Sequence, residues 1–194
     1  MIIVITPEEC VENETELINE LFHEGLDLLH LRKPFVSQEE MGNFIREIDS
    51  QFHHQLVLHS YYDLAKDFNI ARFHFRETDR QNGLAKTFTD KFISTSVHDI
   101  ETFNELNEEW NYAFISPVFP SISKKGYGED STVLNDIKNR NNPTVKLVAL
   151  GGINEKNIHE VFNRGADGVA LLGAIWESEE PIKIFRKCRQ NVLS

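Results

Sequence analysis

The segment VKLVALGGINEKNIHEVFNRGADGVALLG, residues 145–173, contains in one pass the unit from which the chain is built. An apolar run at 145–150 has the composition of a buried strand, and it stops at Gly151 and Gly152. Residues 154–162 then place Ile158, Val161 and Phe162 at helical spacing, and a second apolar run at 168–172 is closed by Gly173. Strand, helix and strand in that order make a parallel pair joined by a right-handed crossover.

Outward from this unit the alternation continues. Apolar runs at 2–6, 28–32, 55–58, 71–75, 91–95 and 112–116 bring the predicted strands to eight, with helical spacing at 15–23 (Leu17, Leu21) and 38–48 (Met41, Phe44, Ile45, Ile48). After the fourth run, residues 76–86 are polar and carry Gly83, so the fourth helix is predicted short or degenerate. Residues 1–194 therefore read as one α/β domain, a TIM (β/α)8 barrel, with an open doubly wound sheet as the alternative. In such a barrel, function sits on the loops that follow the strands.

Composition narrows the function classes. The net charge of −11 has the wrong sign for gripping nucleic acid or an anionic membrane through a general field, so a phosphate ligand must be held locally. Cys10 and Cys188 stand near opposite ends with no CxxC spacing, which suggests neither a disulfide framework nor a zinc knuckle. The apolar run at 2–5 is too short for a signal core and lacks a basic flank, and no stretch approaches a membrane span. A cytoplasmic protein is expected.

Period-two alternation turns His30 and Arg32 inward on the second strand and leaves Leu29 and Leu31 to the helices. The same rule groups Arg72, His74 and Arg76 on the fourth strand and Ser94 and Ser96 on the fifth, while His59 closes the third. His30, His59, His74 and His98, four of the eight histidines, thus fall at or just past the ends of consecutive strands, where a barrel gathers them around one pocket. Taken singly, each has the ordinary explanation of a hydrogen-bonded core histidine. A metal site is the rival, but no HxH or HExxH spacing supports it.

Gly151 and Gly152 after the seventh strand, and Leu172 and Gly173 after the eighth, sit where such barrels bind phosphate through backbone N–H groups. Either glycine site alone would only make a tight turn; the matching positions favour a phosphate pocket. Residues 117–128, with Ser121, Ser123, Lys124 and Lys125 between prolines and glycines, have the composition of a flap over a phosphorylated ligand.

Taken in order, these pieces resemble the thiamine phosphate synthase and thiazole tautomerase (TenI-like) family. The resemblance runs through His30-Leu31-Arg32, Ser96-Val97-His98, the flap from Ser116 to Lys124, Leu150-Gly151-Gly152-Ile153 and residues 168–175. It implies a homodimeric barrel that binds a phosphorylated thiazole, with no nucleic acid or membrane partner. It implies one of two reactions. The synthase joins a pyrimidine pyrophosphate to the thiazole with magnesium held by aspartates, of which Asp79 matches one while His59-Ser60 stands in place of Asn-Asp. Pro34 occupies a position where the family usually carries lysine, with Lys33 just before it. The tautomerase aromatises a carboxythiazole phosphate by proton transfer and needs no metal cofactor. His98 falls where that branch places its proton-transfer histidine, and a histidine can take and return a proton near neutrality.

The departures from the synthase pattern favour the tautomerase. The resemblance then gives His98 as catalytic and Arg32 and His30 as orienting the thiazole and its carboxylate. Lys33, His59, Ser96, Ser121, Ser123 and Lys124 are the further substrate-binding candidates. Gly151, Gly152, Leu172 and Gly173 hold the phosphate, and Asp79 is a metal ligand only for a synthase. The remaining alternative is a catalytically silent paralogue that binds the thiazole phosphate.

Overall fold

The structure is a computed structural model that describes every residue except Thr89, Ser123, Lys124, Lys125, Tyr127 and Ser194, with Leu193 described by its backbone. Eight strands follow one another: β1 (Ile2–Ile5), β2 (Leu28–Leu31), β3 (Leu56–Leu58), β4 (Arg72–Phe75), β5 (Phe92–Val97), β6 (Tyr112–Ile115), β7 (Lys146–Leu150) and β8 (Gly168–Leu171). They pair in sequence order, all parallel, and close into a barrel. Closure is made by β1 against β8, with Ile3 opposite Ala170, and this sets aside the open sheet.

Around the barrel lie α1 (Glu14–His23), α2 (Gln38–Glu47), α3 (Leu64–Phe68), α4 (Glu77–Gln81), α5 (Ile100–Asn104), α6 (Val133–Asp136), α7 (Ile158–Asn163), α8 (Gly173–Trp176) and α9 (Pro181–Leu193). Helix α2 starts where Ser37 and Glu40 make a capping box, each side chain accepting from the other's backbone N–H at 3.2 and 2.7 Å. The fourth helix is five residues long, followed by a 3₁₀ turn at Leu84–Thr87, as its polar sequence predicts. Helix α7 begins later than the apolar spacing suggests. Asn157 explains this: its side chain accepts from the Asn154 N–H at 2.8 Å and donates to the Gly152 carbonyl at 3.0 Å, holding that stretch as a loop.

Alternation along the strands separates two cores. Leu29, Leu31, Leu56, Leu58, Phe73 and Phe75 face the helices, and Ile3, Leu28, Val57, Tyr112, Phe114, Val148 and Ala170 fill the barrel interior. The β3–β4 seam is the thinnest, with Leu58 opposite Phe73 as its one paired position. Tyr62 reinforces it: its hydroxyl lies 3.2 Å from both the His59 and the His74 carbonyl oxygens and donates to one at a time. That places the ends of two histidine-bearing strands side by side.

Candidate functional site at the barrel mouth

At the C-terminal end of the strands is a pocket of about 370 Å³ lined by residues that follow β1, β2, β6, β7 and β8. Its walls include Ile5, Leu150, Ile153, Ala170 and Leu172, and its polar groups include Arg32, Glu8, Ser116 and Ser121. Arg32 Nη1 is 2.6 Å from Glu8 Oε1. Both side chains are partly exposed, so this ion pair is a modest contact that an incoming anion can exchange for itself. Trp176 Nε1 donates to the Ile5 carbonyl at 2.7 Å and ties α8 to the end of β1, which fixes the wall that Gly173 completes.

The glycines of the seventh loop have a specific steric reason. Gly151 and Gly152 have φ of 109° and 63°, and a Cβ at either position would run into residues of the sixth loop, Pro117 for Gly151 and Phe119 and Pro120 for Gly152. Backbone bonds from the Val118 N–H to the Leu150 carbonyl (3.0 Å) and from the Phe119 N–H to the Gly151 carbonyl (3.1 Å) lock the two loops together. The side where a Cβ would stand is thus filled by protein, and the glycines meet the pocket with their remaining backbone. On the eighth loop, the N–H groups of Gly173 and Ala174 open α8 and have no carbonyl partner within that helix.

Of the four histidines expected to gather, the structure brings together three. His30 Nδ1 lies 2.8 Å from His59 Nε2, and His30 Nε2 lies 2.6 Å from the Tyr112 hydroxyl. His74 bonds Ser94 Oγ at 2.9 Å through Nδ1 and Ser96 Oγ at 3.0 Å through Nε2. His59 and His74 stack at 4.3 Å between ring centres. Burial pushes all three imidazoles down, His30 and His59 well below the ordinary value and His74 to about 3, so they are neutral at physiological pH. The Arg32 guanidinium adds to the depression at His59 and His74.

His98 does not join them. It is exposed, its Nδ1 bonds the Ser116 carbonyl at 3.1 Å, and it lines a neighbouring open cavity with Pro117, Gly126 and Gly128. Ser116 belongs to both cavities and links His98 to the edge of the pocket. Lys33 is also elsewhere. It follows the inward Arg32 and so points outward, where its buried ammonium meets Glu14 at 2.6 Å and the Glu9 carbonyl at 2.9 Å in a crevice between α1 and α2. The structure thus places Lys33, expected from the sequence among the substrate-binding residues, outside the lining of the mouth pocket. Ser123 and Lys124 lie outside the described residues.

Asp79 stands beyond β4 with Arg76 wrapped around it, Nε at 3.0 Å from one carboxylate oxygen and Nη2 at 3.3 Å from the other. That contact holds its carboxyl below the usual range. Sequence reasoning missed Glu8, Ile5 and Ala170 as pocket residues. Their positions after β1 or along β8 were available, but no spacing pattern marks them.

Fold and mouth define a TIM-barrel protein with its pocket at the C-terminal ends of the strands. The chain belongs to the thiamine monophosphate synthase family, whose description matches residues 1–175. A thiamine-phosphate synthase of Chlorobium phaeobacteroides is 28% identical over 190 residues, covering 92% of this chain and 89% of that protein. One from Staphylococcus haemolyticus is 26% identical over 184 residues, with coverages of 90% and 86%. The crystal structure of thiamine phosphate pyrophosphorylase from Bacteroides thetaiotaomicron superposes with a TM-score of 0.80 at 26% identity, covering 98% of this chain and 96% of that one.

Proposed function

We propose that the chain binds a phosphorylated thiazole in the mouth pocket and carries out the reaction of its named relatives, joining the thiazole to a pyrimidine pyrophosphate to give thiamine phosphate. The names of the relatives support this transferase over the isomerase that the sequence motifs favour. The observation that carries the binding half is the pocket itself, apolar on the β7–β8 side for a heterocycle, with Arg32 as the cation on its rim. The backbone of Gly151, Gly152, Leu172 and Gly173 supplies the phosphate end, and Ser121 lies on the same wall. The chain's own part is to bind, orient and screen the two substrates from water. Homodimerisation and a cytoplasmic location belong to the same proposal.

Magnesium, which the resemblance attaches to this reaction, takes hard oxygen ligands. Around the aligned position this chain offers one carboxylate, Asp79, with both oxygens engaged by Arg76, and Ser60 where a second would stand. The described residues at this position do not fit the ion. This same observation favours a second reading, metal-free aromatisation of a carboxythiazole phosphate with His98 moving the proton from the pocket edge.

Both reactions should be assayed with and without magnesium. Release of pyrophosphate as the two substrates are joined supports the first reading, and its response to magnesium shows whether the substrate's own phosphates hold the ion. Aromatisation that persists in EDTA and is lost in His98→Ala overturns it in favour of the second. Tight binding with no turnover in either assay identifies a silent paralogue.

A further inference from the structure

We propose that His30, His59 and His74 form a binding site for one divalent transition-metal ion of the zinc, nickel or cobalt class on the floor of the barrel mouth. One nitrogen from each imidazole lies within 4.8 Å of the others, supplied by three adjacent strand ends. Four-coordinate zinc with ligands at ~2.0–2.1 Å separates neighbouring nitrogens by about 3.3 Å, so the 2.8 Å between His30 Nδ1 and His59 Nε2 must open slightly while separations of up to 4.8 Å within the cluster must close. Imidazole, a borderline-soft donor, selects these ions over magnesium.

The surroundings are those of ligating histidines. Tyr112 holds the second nitrogen of His30, and Ser94 and Ser96 bracket His74, so two of the three rings are already oriented by hydroxyl groups. Binding needs three rearrangements: His74 releases one of its two serine hydroxyls to free a nitrogen, the proton shared between His30 and His59 moves to another ring nitrogen, and the stack of His59 on His74, whose planes differ by 23°, opens. Two nearly parallel rings cannot both aim in-plane at one ion, so His59 must turn. His59 is the partly exposed member at the rim, while His30 and His74 are 0% and 3% exposed. The movable ligand is therefore the one nearest the solvent from which an ion arrives.

The inference is independent of which thiazole reaction the chain performs. It is tested on the full chain, stripped with EDTA and titrated with Co²⁺ under anaerobic conditions, then with Zn²⁺ in competition and by calorimetry. The expected result is one equivalent bound, with visible d–d bands of low-coordinate cobalt that Zn²⁺ bleaches. His59→Ala and, separately, His74→Ala should each weaken binding by about tenfold or more, while the surface variant His54→Ala leaves it unchanged. Circular dichroism of each variant establishes that it is folded, and His59→Ala, altered at the rim, is the decisive one. A spectrum no different from the hydrated ion, or binding that survives His59→Ala in a folded protein, overturns the proposal and leaves the three rings as a hydrogen-bonded polar core.

Discussion

Lys33 Nζ lies 2.6 Å from Glu14 Oε2 with both side chains buried, and this pair fastens the end of β2 to the first turn of α1. Removing one partner strands the other in a medium that solvates it poorly. Lys33→Met is expected to cost roughly 3–5 kcal/mol of stability near neutral pH, with much of the loss recovered in the double variant Lys33→Met/Glu14→Leu. Burial already raises the Glu14 carboxyl, so the single variant's deficit should shrink as the solution is acidified and Glu14 takes up a proton. Urea unfolding at two pH values checks both statements. An unchanged midpoint would show that the pair contributes nothing net.

Gly152 and Gly165 both have positive φ, but only the first has protein where a Cβ would stand. Gly165→Ala should therefore lose about 1 kcal/mol, the conformational part alone. Gly152→Ala must also push Pro120 and Phe119 aside, so it is expected to lose at least twice as much, roughly 2 kcal/mol or more, and to reshape the pocket. Thermal unfolding of the two variants together decides it, since equal losses would mean the sixth loop yields freely.

Arg32 is the cation on the pocket rim and Glu8 its partner at 2.6 Å. If an anionic ligand meets Arg32, then Arg32→Ala should weaken it by about tenfold or more, the size of a lost hydrogen bond to a charged group. Glu8→Gln should strengthen it by removing a competitor. Calorimetric titration with thiazole phosphate gives both numbers. Opposite signs are the signature, and a parallel loss in the two variants would indicate that the pair only shapes the loop.

The neutral histidine core makes stability depend on pH in a definite direction. The folded-state pKa of His74, about 3, lies below its ordinary 6.5, so on acidification the unfolded chain binds the proton first. Stability is complete above 6.5 and declines as pH falls from there toward 3. Between pH 7.5 and 5, His74 alone should account for a loss on the order of 2 kcal/mol in the metal-free chain. His74→Gln should flatten the curve over that interval. Superimposable pH profiles for the parent and the variant would sink the idea.

The resemblance predicts that the mouth, and not the crevice between α1 and α2, holds the ligand. Lys33→Met should then keep the parent's affinity for thiazole phosphate even while it lowers stability, because its ammonium lines the crevice and not the mouth. Binding measured well below the unfolding midpoint tests this. Loss of affinity in a folded protein would return Lys33 to the list of substrate-binding residues.

The barrel was legible because its signal is local. Each strand is an apolar run and each connection a helical spacing, and all eight runs became strands because a parallel strand buried on both faces must be apolar along its length. Alternation also sorted Leu29 and Leu31 outward from His30 correctly. Period two turns Lys33 outward, to Glu14, once Arg32 is inward, but it does not reach past the strand's end, so His98 went to the outer edge of the sixth loop. It predicted that the strand-end histidines gather, but not the contacts within the three-imidazole cluster. Its members come one from each of three strands, with no spacing for a motif to show, and only barrel closure sets their nitrogens within 4.8 Å. Sequence alone determined which residues face the axis, through the pleat of each strand; tertiary structure decided which of them touch, because contact across a barrel depends on the register and tilt of strands far apart in the chain.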